Sequence, residues 1–564
     1  MVKFCRALSG ALVVVAFAAC SDPLTILNSN EPDRARVLGT PTDVEVLIQG
    51  TYKTIFNGTF GVDGISPSAR SMSWENASNL ANWGLGPRSA IPRAPIDNVR
   101  GNSYMAENQL DFNAVSRALR TAALGVNKMD SLTLGSEAAN ARARAFGWFS
   151  AGVAMGYLAM TYDSATIVDP HADQLVVPDL SYYTDVAAAA LVALDSALAQ
   201  TNTARTVTGG YGTGTMLPDT WLNGSAFTAD RFTQLIRTYK AYFRANVARS
   251  PTERAAVNWA NVRDDAAAGI TADFNITTGT AVGWMAVGNQ WWLYQQWGQL
   301  NQMIGGMADS SCVIAATGAL VACGSAGSVR QYDNWLGTGQ FDKVAFLIRT
   351  LDRRFPAGNT RATQITNSPS VSDGILYYRN RSASDPDAAP WSSYYEWFRL
   401  RAWYLAARVG AFPTFVKAQN DLLRAEALIR LGDIPGAAAL IDITRTRNGL
   451  SALSGAWAAT ATATTPVPGG DACVPHIPQA SGNYVTTECG NIMEAMKWEY
   501  RMETTYVSYV SQWMSGRGWG DLPEGTAVHW PVPYQEMDAR LHPFYSVGGI
   551  GRPGGSVGKG NYGF

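Results

Sequence analysis

Apolar residues recur along this chain at three- and four-residue steps, the spacing that gathers side chains on one face of a helix. The pattern is sharpest in NDLLRAEALIRLGDIPGAAALIDITRTRNGL, from Asn420 to Leu450. Leu422, Leu423, Ala425, Leu428, Ile429 and Leu431 keep the step, while Arg424, Glu426 and Arg430 can face water. Gly432-Asp433 interrupts it. Pro435, whose φ is fixed, suits the first turn of a second helix carrying Ala437, Ala438, Ala439, Leu440, Ile441 and Ile443. Asn448-Gly449 ends that helix. Small alanines on both partners let the two backbones approach closely. Such a pair cannot bury its own apolar face and needs similar pairs beside it.

The same periodicity predicts helices over Val44–Ile55, Leu110–Met129 and Ala141–Tyr162. An alanine-rich helix follows Ser181-Tyr182-Tyr183 and ends near Gln200, and two more cover Phe232–Arg249 and Ala255–Ile270. Three pairs emerge: Ala141–Tyr162 with the alanine-rich helix, Phe232–Arg249 with Ala255–Ile270, and the 420–450 hairpin. The helix before residue 130 is a candidate for a fourth. Stacked pairs of this kind are tetratricopeptide-like units, although an ordinary αα-hairpin has the same spacing. Between the pairs lie irregular stretches rich in Gly, Asn, Pro and aromatic residues, 56–103 and 271–419. The expected fold is therefore mainly α, with helix pairs as a scaffold and long irregular loops. In the tail, Asn491 opens a further helix with Glu494 placed to return a capping bond.

Composition sharpens this picture. With 47% hydrophobic and 16% charged residues the chain is globular. Its 18 Trp and 23 Tyr exceed what a core requires, and both suit sites where one ring face is buried and the other meets a ligand. The 54 Gly and 26 Pro fit long loops. A net charge of −1 leaves no basic excess to neutralise phosphates, so no nucleic-acid partner is expected.

Residues 1–19 have the form of a secretory signal: Lys3 and Arg6, an apolar run from Leu8 to Phe17, then Ala18-Ala19 before Cys20. Small residues directly before a cysteine point to lipoprotein processing, with Cys20 acylated at the mature N-terminus; plain cleavage would leave it unmodified. Residues 20–41 then read as a polar, lipidated tether. Cys312/Cys323 and Cys473/Cys489 form two locally spaced pairs, expected as disulfides in an oxidising compartment. Zinc is the rival reading, but the chain has no CxxC spacing and only four His. No metal and no cofactor is expected.

Sugar binding needs flat aromatic faces for pyranose C–H surfaces and polar groups for hydroxyls. Two stretches offer both. The first holds Trp74, Asn76, Trp83 and Arg88, and the second Trp284, Asn289, Trp291, Trp292, Tyr294 and Trp297. The same rings could instead pack loops onto the scaffold. The 391–404 cluster, helical in period, reads as core or interface. Glu499 and Glu503, four apart on a helix, could mimic a catalytic carboxylate pair, but Lys497 and Arg501 beside them favour a charged network. No GxSxG or HExxH stretch occurs. The glycine-rich run at 554–559 lacks the flanking residues and the following helix of a phosphate loop. No catalytic residue is assigned.

Taken together, several features resemble the SusD/RagB family of outer-membrane nutrient-binding lipoproteins. They are the cysteine of the lipobox-like start, the helix ARARAFGWFSAGVAMGYLAM, the 420–450 hairpin, Glu499-x-Arg501-x-Glu503, and the tail with His529-Trp530-Pro531-Val532-Pro533. The resemblance implies four tetratricopeptide-like pairs within one domain over 42–564. It implies a ligand site on the loops after the first helix and after the third pair. It also implies a surface-exposed lid on a SusC-like TonB-dependent transporter, anchored in the outer membrane. The cargo implied is an oligosaccharide or a peptide; a purely structural lid and a helical glycoside hydrolase are the other readings. One departure is local. The family continues with Glu-Gly-x-Arg-Trp after its Glu/Arg cluster, where this chain has Val507-Ser508-Tyr509-Val510-Ser511.

Overall fold

A computed structural model describes residues 38–61, 64–78, 85–91, 93, 96–102, 105–286, 299–314, 320–321, 328–330, 343–382, 391–469, 473–479 and 486–546. The expected signal segment and Cys20 lie outside these residues.

The helices that the periodicity predicts are present. They are α1 (Pro41–Thr59), α2 (Met105–Lys128), α3 (Glu137–Thr161), α4 (Tyr183–Thr206), α5 (Ala229–Asn246), α6 (Trp259–Ala267), α7 (Lys417–Arg430), α8 (Ile434–Arg445) and α9 (Ile492–Thr504); α10 (Ser511–Trp519) is a further helix not expected from the periodicity. Short polar side chains fix several starts. Thr40 caps α1 ahead of Pro41, Ser136 caps α3, Thr228 caps α5 and Asp433 caps α8, each accepting a backbone N–H that the helix leaves unpaired. Gly432, at φ +86°, provides the left-handed residue between α7 and α8.

α1 packs on α2, α3 on α4, α5 on α6 and α7 on α8. The helix before residue 130 thus completes a fourth pair with the first helix. Neighbouring pairs touch through α2 on α3, α4 on α5 and α6 on α7. Close approach depends on glycine at two points of α3. A Cβ on Gly152 would lie 2.7 Å from Leu194 of α4, and one on Gly156 would lie 2.2 Å from the Phe243 ring of α5. The main hydrophobic core runs through this stack. A second core forms where α9 lies across α7 and α8, around Leu422, Ile441, Met496 and Tyr500.

Two expectations about elements need correction. Residues 255–270 do not form one helix. Pro251–Ala255 makes a single turn, and Asn258 starts α6 afresh by accepting the Asn261 N–H at 3.1 Å. The aromatic 391–404 cluster is mostly buried, but its first half is extended rather than helical. Strand β3 (Tyr395–Trp397) pairs antiparallel with β2 (Tyr378–Asn380), and only Arg401–Leu405 turns helical.

The irregular stretch between α6 and α7 is closed at its base. Strand β1 (Phe274–Thr278) leaves the helical stack and β4 (Gly410–Phe415) returns to it, paired antiparallel from Phe274↔Phe415 to Thr278↔Gly410. The described sheets are small, two or three strands each.

Candidate functional site

Segments adjoining the two aromatic stretches, far apart in sequence, are bonded to each other. The Ala77 N–H donates to the Gln299 carbonyl at 2.8 Å, and Gln299 also bridges to Glu396 of β3. The Leu300 N–H then donates to the Tyr395 carbonyl at 2.9 Å. The segment Trp74–Ala77 therefore lies beside the residues that directly follow Trp297.

Within the first stretch, Trp74 is 2% exposed, sits at φ +64° and carries the Arg93 guanidinium 4.7 Å from its ring centre. Asn76 is buried and accepts from the Ser71 hydroxyl at 2.9 Å. Arg88 is buried in the turn Leu85–Ser89, and burial lowers its guanidinium to about 10. Burial lowers Arg93 to about 9. In the second stretch, Trp284 is 4% exposed and packs against Phe56 and Tyr52 of α1 at 5.5 and 6.4 Å. These four side chains are thus set into protein surroundings. Trp83, Asn289, Trp291, Trp292, Tyr294 and Trp297 lie outside the described residues. Of the described tryptophans only Trp148, Trp391 and Trp457 are half-buried, and the rest are buried. Among the described residues the indoles are spent largely on the core.

Beneath the first stretch, Arg70 and Glu75 form a buried ion pair. Glu75 also accepts the Tyr506 N–H at 2.7 Å, and the Arg70 Nη2 donates to the Ser508 carbonyl at 3.0 Å. The segment that departs from the family pattern is what receives this pair. Tyr506, Val507, Tyr509 and Val510 are all buried, with Tyr506 and Val510 at positive φ.

Glu499 and Glu503 stand at the centre of a larger buried cluster. Arg354 donates to both oxygens of Glu499 at 2.9 and 3.0 Å and to both oxygens of Asp352 at 2.9 and 2.7 Å. The Trp498 indole N–H also reaches Asp352 at 3.0 Å. Glu503 accepts from Tyr377 at 2.9 Å and Arg447 at 2.7 Å, with Arg399 at 3.4 Å. Burial pushes the Glu503 carboxyl up, but Arg399, Arg447 and Arg354 outweigh it and hold it below the usual range. Three carboxylates thus face three guanidiniums, with Arg354 and the carboxylates buried and Arg447 reaching the surface, an arrangement that positions backbone rather than moves protons. The charged network expected from the sequence exists, but with other partners. Lys497 and Arg501 turn instead to Asp521, at 3.0 and 2.7 Å. The true cations come from distant segments, and only the dense charge in Thr350-Leu351-Asp352-Arg353-Arg354 hints at one of them.

Cys473 and Cys489 are joined by a disulfide, with Cα atoms 5.5 Å apart. It sits beside the pairing of His476–Pro478 with Thr487–Cys489. Cys323 lies outside the described residues. Asn491 caps α9 by accepting the Glu494 N–H at 3.1 Å, while the Glu494 carboxylate goes to Lys497 at 2.9 Å rather than back to the cap. Among the described residues no group of three His, Cys, Asp or Glu is placed to hold a metal ion, and no helix is long and apolar enough to cross a membrane.

Two concavities stand out. One of about 400 Å³ lies between α4, α5 and the turn Pro251–Ala255, over an apolar floor that includes Ala187, Leu191, Phe243 and Val247. The other, about 440 Å³, lies in the loop-rich part between Thr350–Ala357 and the segment from Asn367 to Leu376, and mixes charged with apolar lining.

The sequence matches no family model and no curated protein. Solved structures do resemble the fold. Bacteroides fragilis NanU is 12% identical, with a TM-score of 0.48 over 92% of this chain and 99% of that one. A SusD/RagB family protein from Bacteroides thetaiotaomicron is 10% identical, with a TM-score of 0.43 over 89% and 88%. A laminarin-binding SusD-like protein is 13% identical, with a TM-score of 0.41 over 92% and 100%. Several of the solved structures this chain is similar to are SusD-like by name.

Proposed function

We propose that this chain is a SusD/RagB-type lipoprotein, anchored in the outer membrane through Cys20 and exposed at the cell surface. It captures an oligosaccharide without cleaving it and passes it to a SusC-like TonB-dependent transporter. The observation that supports this reading is the Ala77–Gln299 bridge, which joins the loop holding the first aromatic stretch to the residue just past the second. The two loops whose sequences carry sugar-binding chemistry are thereby tied backbone to backbone, beside the helical stack. Such an arrangement binds by ring stacking and hydrogen bonding. A non-catalytic role agrees with the fate of Glu499 and Glu503, the one carboxylate pair that the sequence offered for hydrolysis. Both are buried among arginines rather than open to a substrate.

The test is equilibrium binding of the protein to a panel of soluble oligosaccharides. Trp83→Ala and Trp292→Ala should each weaken binding of the preferred glycan at least about ten-fold, the scale of one lost stacking contact. Wild-type affinity in both variants would remove these rings from the site. Release of reducing sugar by the purified protein would revive the hydrolase reading. Native purification from outer membranes should bring the transporter along.

A further inference from the structure

Where β1 and β4 pair, the chain builds an apolar knuckle that ligand capture leaves unused. Leu405 is 58% exposed, Val409 54% and Val282 43%. The two valines meet over Gly279: a Cβ on that glycine would lie 3.6 Å from Val409 and 3.8 Å from Val282. Ala281, Ala406 and Ala407 beside them are exposed as well. Single exposed apolar residues are ordinary, whereas a contiguous group marks contact with a partner or a membrane.

The knuckle is held in place. The Trp403 indole N–H donates to the Thr278 hydroxyl at 2.8 Å, and that hydroxyl donates to the Arg408 carbonyl at 2.8 Å. The Arg408 N–H returns to the Trp403 carbonyl at 3.0 Å. Ala407 and Arg408 both sit in the left-handed region, at φ +55° and +64°, without the freedom of glycine. A turn able to relax would leave that region. These bonds keep it there, with the aliphatic side chains projecting into solvent.

Charge decides what the knuckle meets. Residues 46–61, 274–308 and 397–420, which build it, contain no Asp or Glu. Basic residues border it: the Lys53 ammonium donates to the Val282 carbonyl at 3.0 Å, and Arg401 and Arg408 belong to the turn itself. The chain as a whole carries a net −1, so this excess is local and its complement is an acidic surface. Protein interfaces are anchored by aromatic or Arg side chains seated in pockets, whereas these tips are aliphatic and stand out. Aliphatic tips bordered by cations suit a bilayer, where alkyl groups enter the acyl boundary and cations meet headgroup phosphates. The knuckle is also near enough to the anchored end of the chain. Lys53 stands about 18 Å along α1 from Pro41. The chain from Cys20 to Leu38 spans at most about 60 Å.

We infer that this knuckle is a membrane-contact surface, seating the protein on an anionic lipid layer through Leu405, Val409 and Val282, with Lys53, Arg401 and Arg408 around them. The inference rests on the proposed function only in that the chain works at a membrane; neither the cargo nor the aromatic stretches enter it.

The experiment is sedimentation of the full mature chain, residues 20–564 with Cys20→Ser so that no acyl group contributes, with vesicles of phosphatidylglycerol and, separately, of phosphatidylcholine. The double variant Leu405→Ser/Val409→Ser removes the apolar tips and Arg408→Gln removes one charge. Leu541→Ser, at a leucine elsewhere that is 92% exposed, is the control. Unfolding midpoints are read alongside. The expected result is binding to phosphatidylglycerol at least about ten-fold tighter than to phosphatidylcholine, and weakened by added salt. The double variant loses at least about ten-fold and Arg408→Gln about five-fold on the anionic vesicles, the latter being the scale of one cation at such a surface, while the control loses nothing. No sedimentation of the wild type, equal sedimentation with both vesicles, or a double variant that sediments like the wild type would overturn the inference. So would a double variant that keeps its vesicle binding but no longer brings a transporter out of outer membranes, which would give the face to that protein instead. Each of these outcomes leaves the glycan-binding reading standing, because oligosaccharide titration of the same wild-type chain tests it separately.

Discussion

At the residue scale, two buried titratable groups pull stability in opposite directions with pH. Burial, helped by Arg249 and Arg517, lowers His529 from 6.5 to about 3. The unfolded chain therefore binds the extra proton, and the stability His529 contributes is present above pH 6.5 and lost as pH falls toward 3. At full extent that is on the order of 5 kcal/mol. Burial raises Asp309 from 3.8 to about 6 despite its bonds from Arg349 and Ser311. Here the folded state holds the extra proton, so stability falls by about 3 kcal/mol as pH rises from 3.8 to 6. Chemical denaturation across that range should show His529→Gln with a shallower acid-side decline than the wild type. Asp309→Asn should show a steeper rise with pH than the wild type. Neither group was legible as perturbed in the sequence, because a shift depends on burial by residues far along the chain. The tryptophans teach the same lesson. Composition shows that there are many, but not that Trp74 and Trp284 turn inward, which depends on Arg93, Tyr52 and Phe56 arriving from other elements.

At the scale of elements, helices were the legible part. Local spacing gives an apolar face, and the short polar residues that cap α1, α3, α5 and α8 stand in the sequence next to what they cap. The break at Asn258 was missed because apolar period continues through it, while the new start depends on one side-chain bond. Strands β2 and β3 were missed because three-residue strands carry too little alternation to read, and the Trp/Tyr run of 391–404 also fits a helical period. Close packing of helix pairs is testable at Gly156. Alanine there gains about 1 kcal/mol of helix propensity but drives a methyl into Phe243. That ring is held by Tyr157 and Tyr239 at 5.7 and 5.6 Å and has little room to yield. Gly156→Ala should therefore destabilise by about 1–2 kcal/mol net, whereas alanine at Gly50, where a Cβ meets nothing within 4 Å, should stabilise. Thermal melts of the two variants compare them directly.

For the whole molecule, the fold class was readable while the joining of its halves was not. The sequence placed 271–419 as an interruption, but could not show that Arg354 and Arg399 within it neutralise Glu499 and Glu503 of α9. Removing one member of a buried ion cluster costs about 3–5 kcal/mol, since the others keep their desolvation cost without the compensating charge. Arg354→Met should lose that much. If the cluster binds the loop-rich part to the helical stack as one cooperative unit, fluorescence and far-ultraviolet circular dichroism should report the same unfolding transition in the wild type. Separate transitions would divide the 42–564 unit into two.

The clasp of β1 and β4 has a further meaning. Because it holds the two ends of the intervening chain side by side, the entropy of closing that chain grows only with the logarithm of its length, by about 0.6 kcal/mol per doubling. Insertions and deletions at exposed points of the enclosed segment are therefore cheap for the frame. Descendants of this protein could lengthen, trim or rewrite their contact surface for new cargo while the four helix pairs stay as they are.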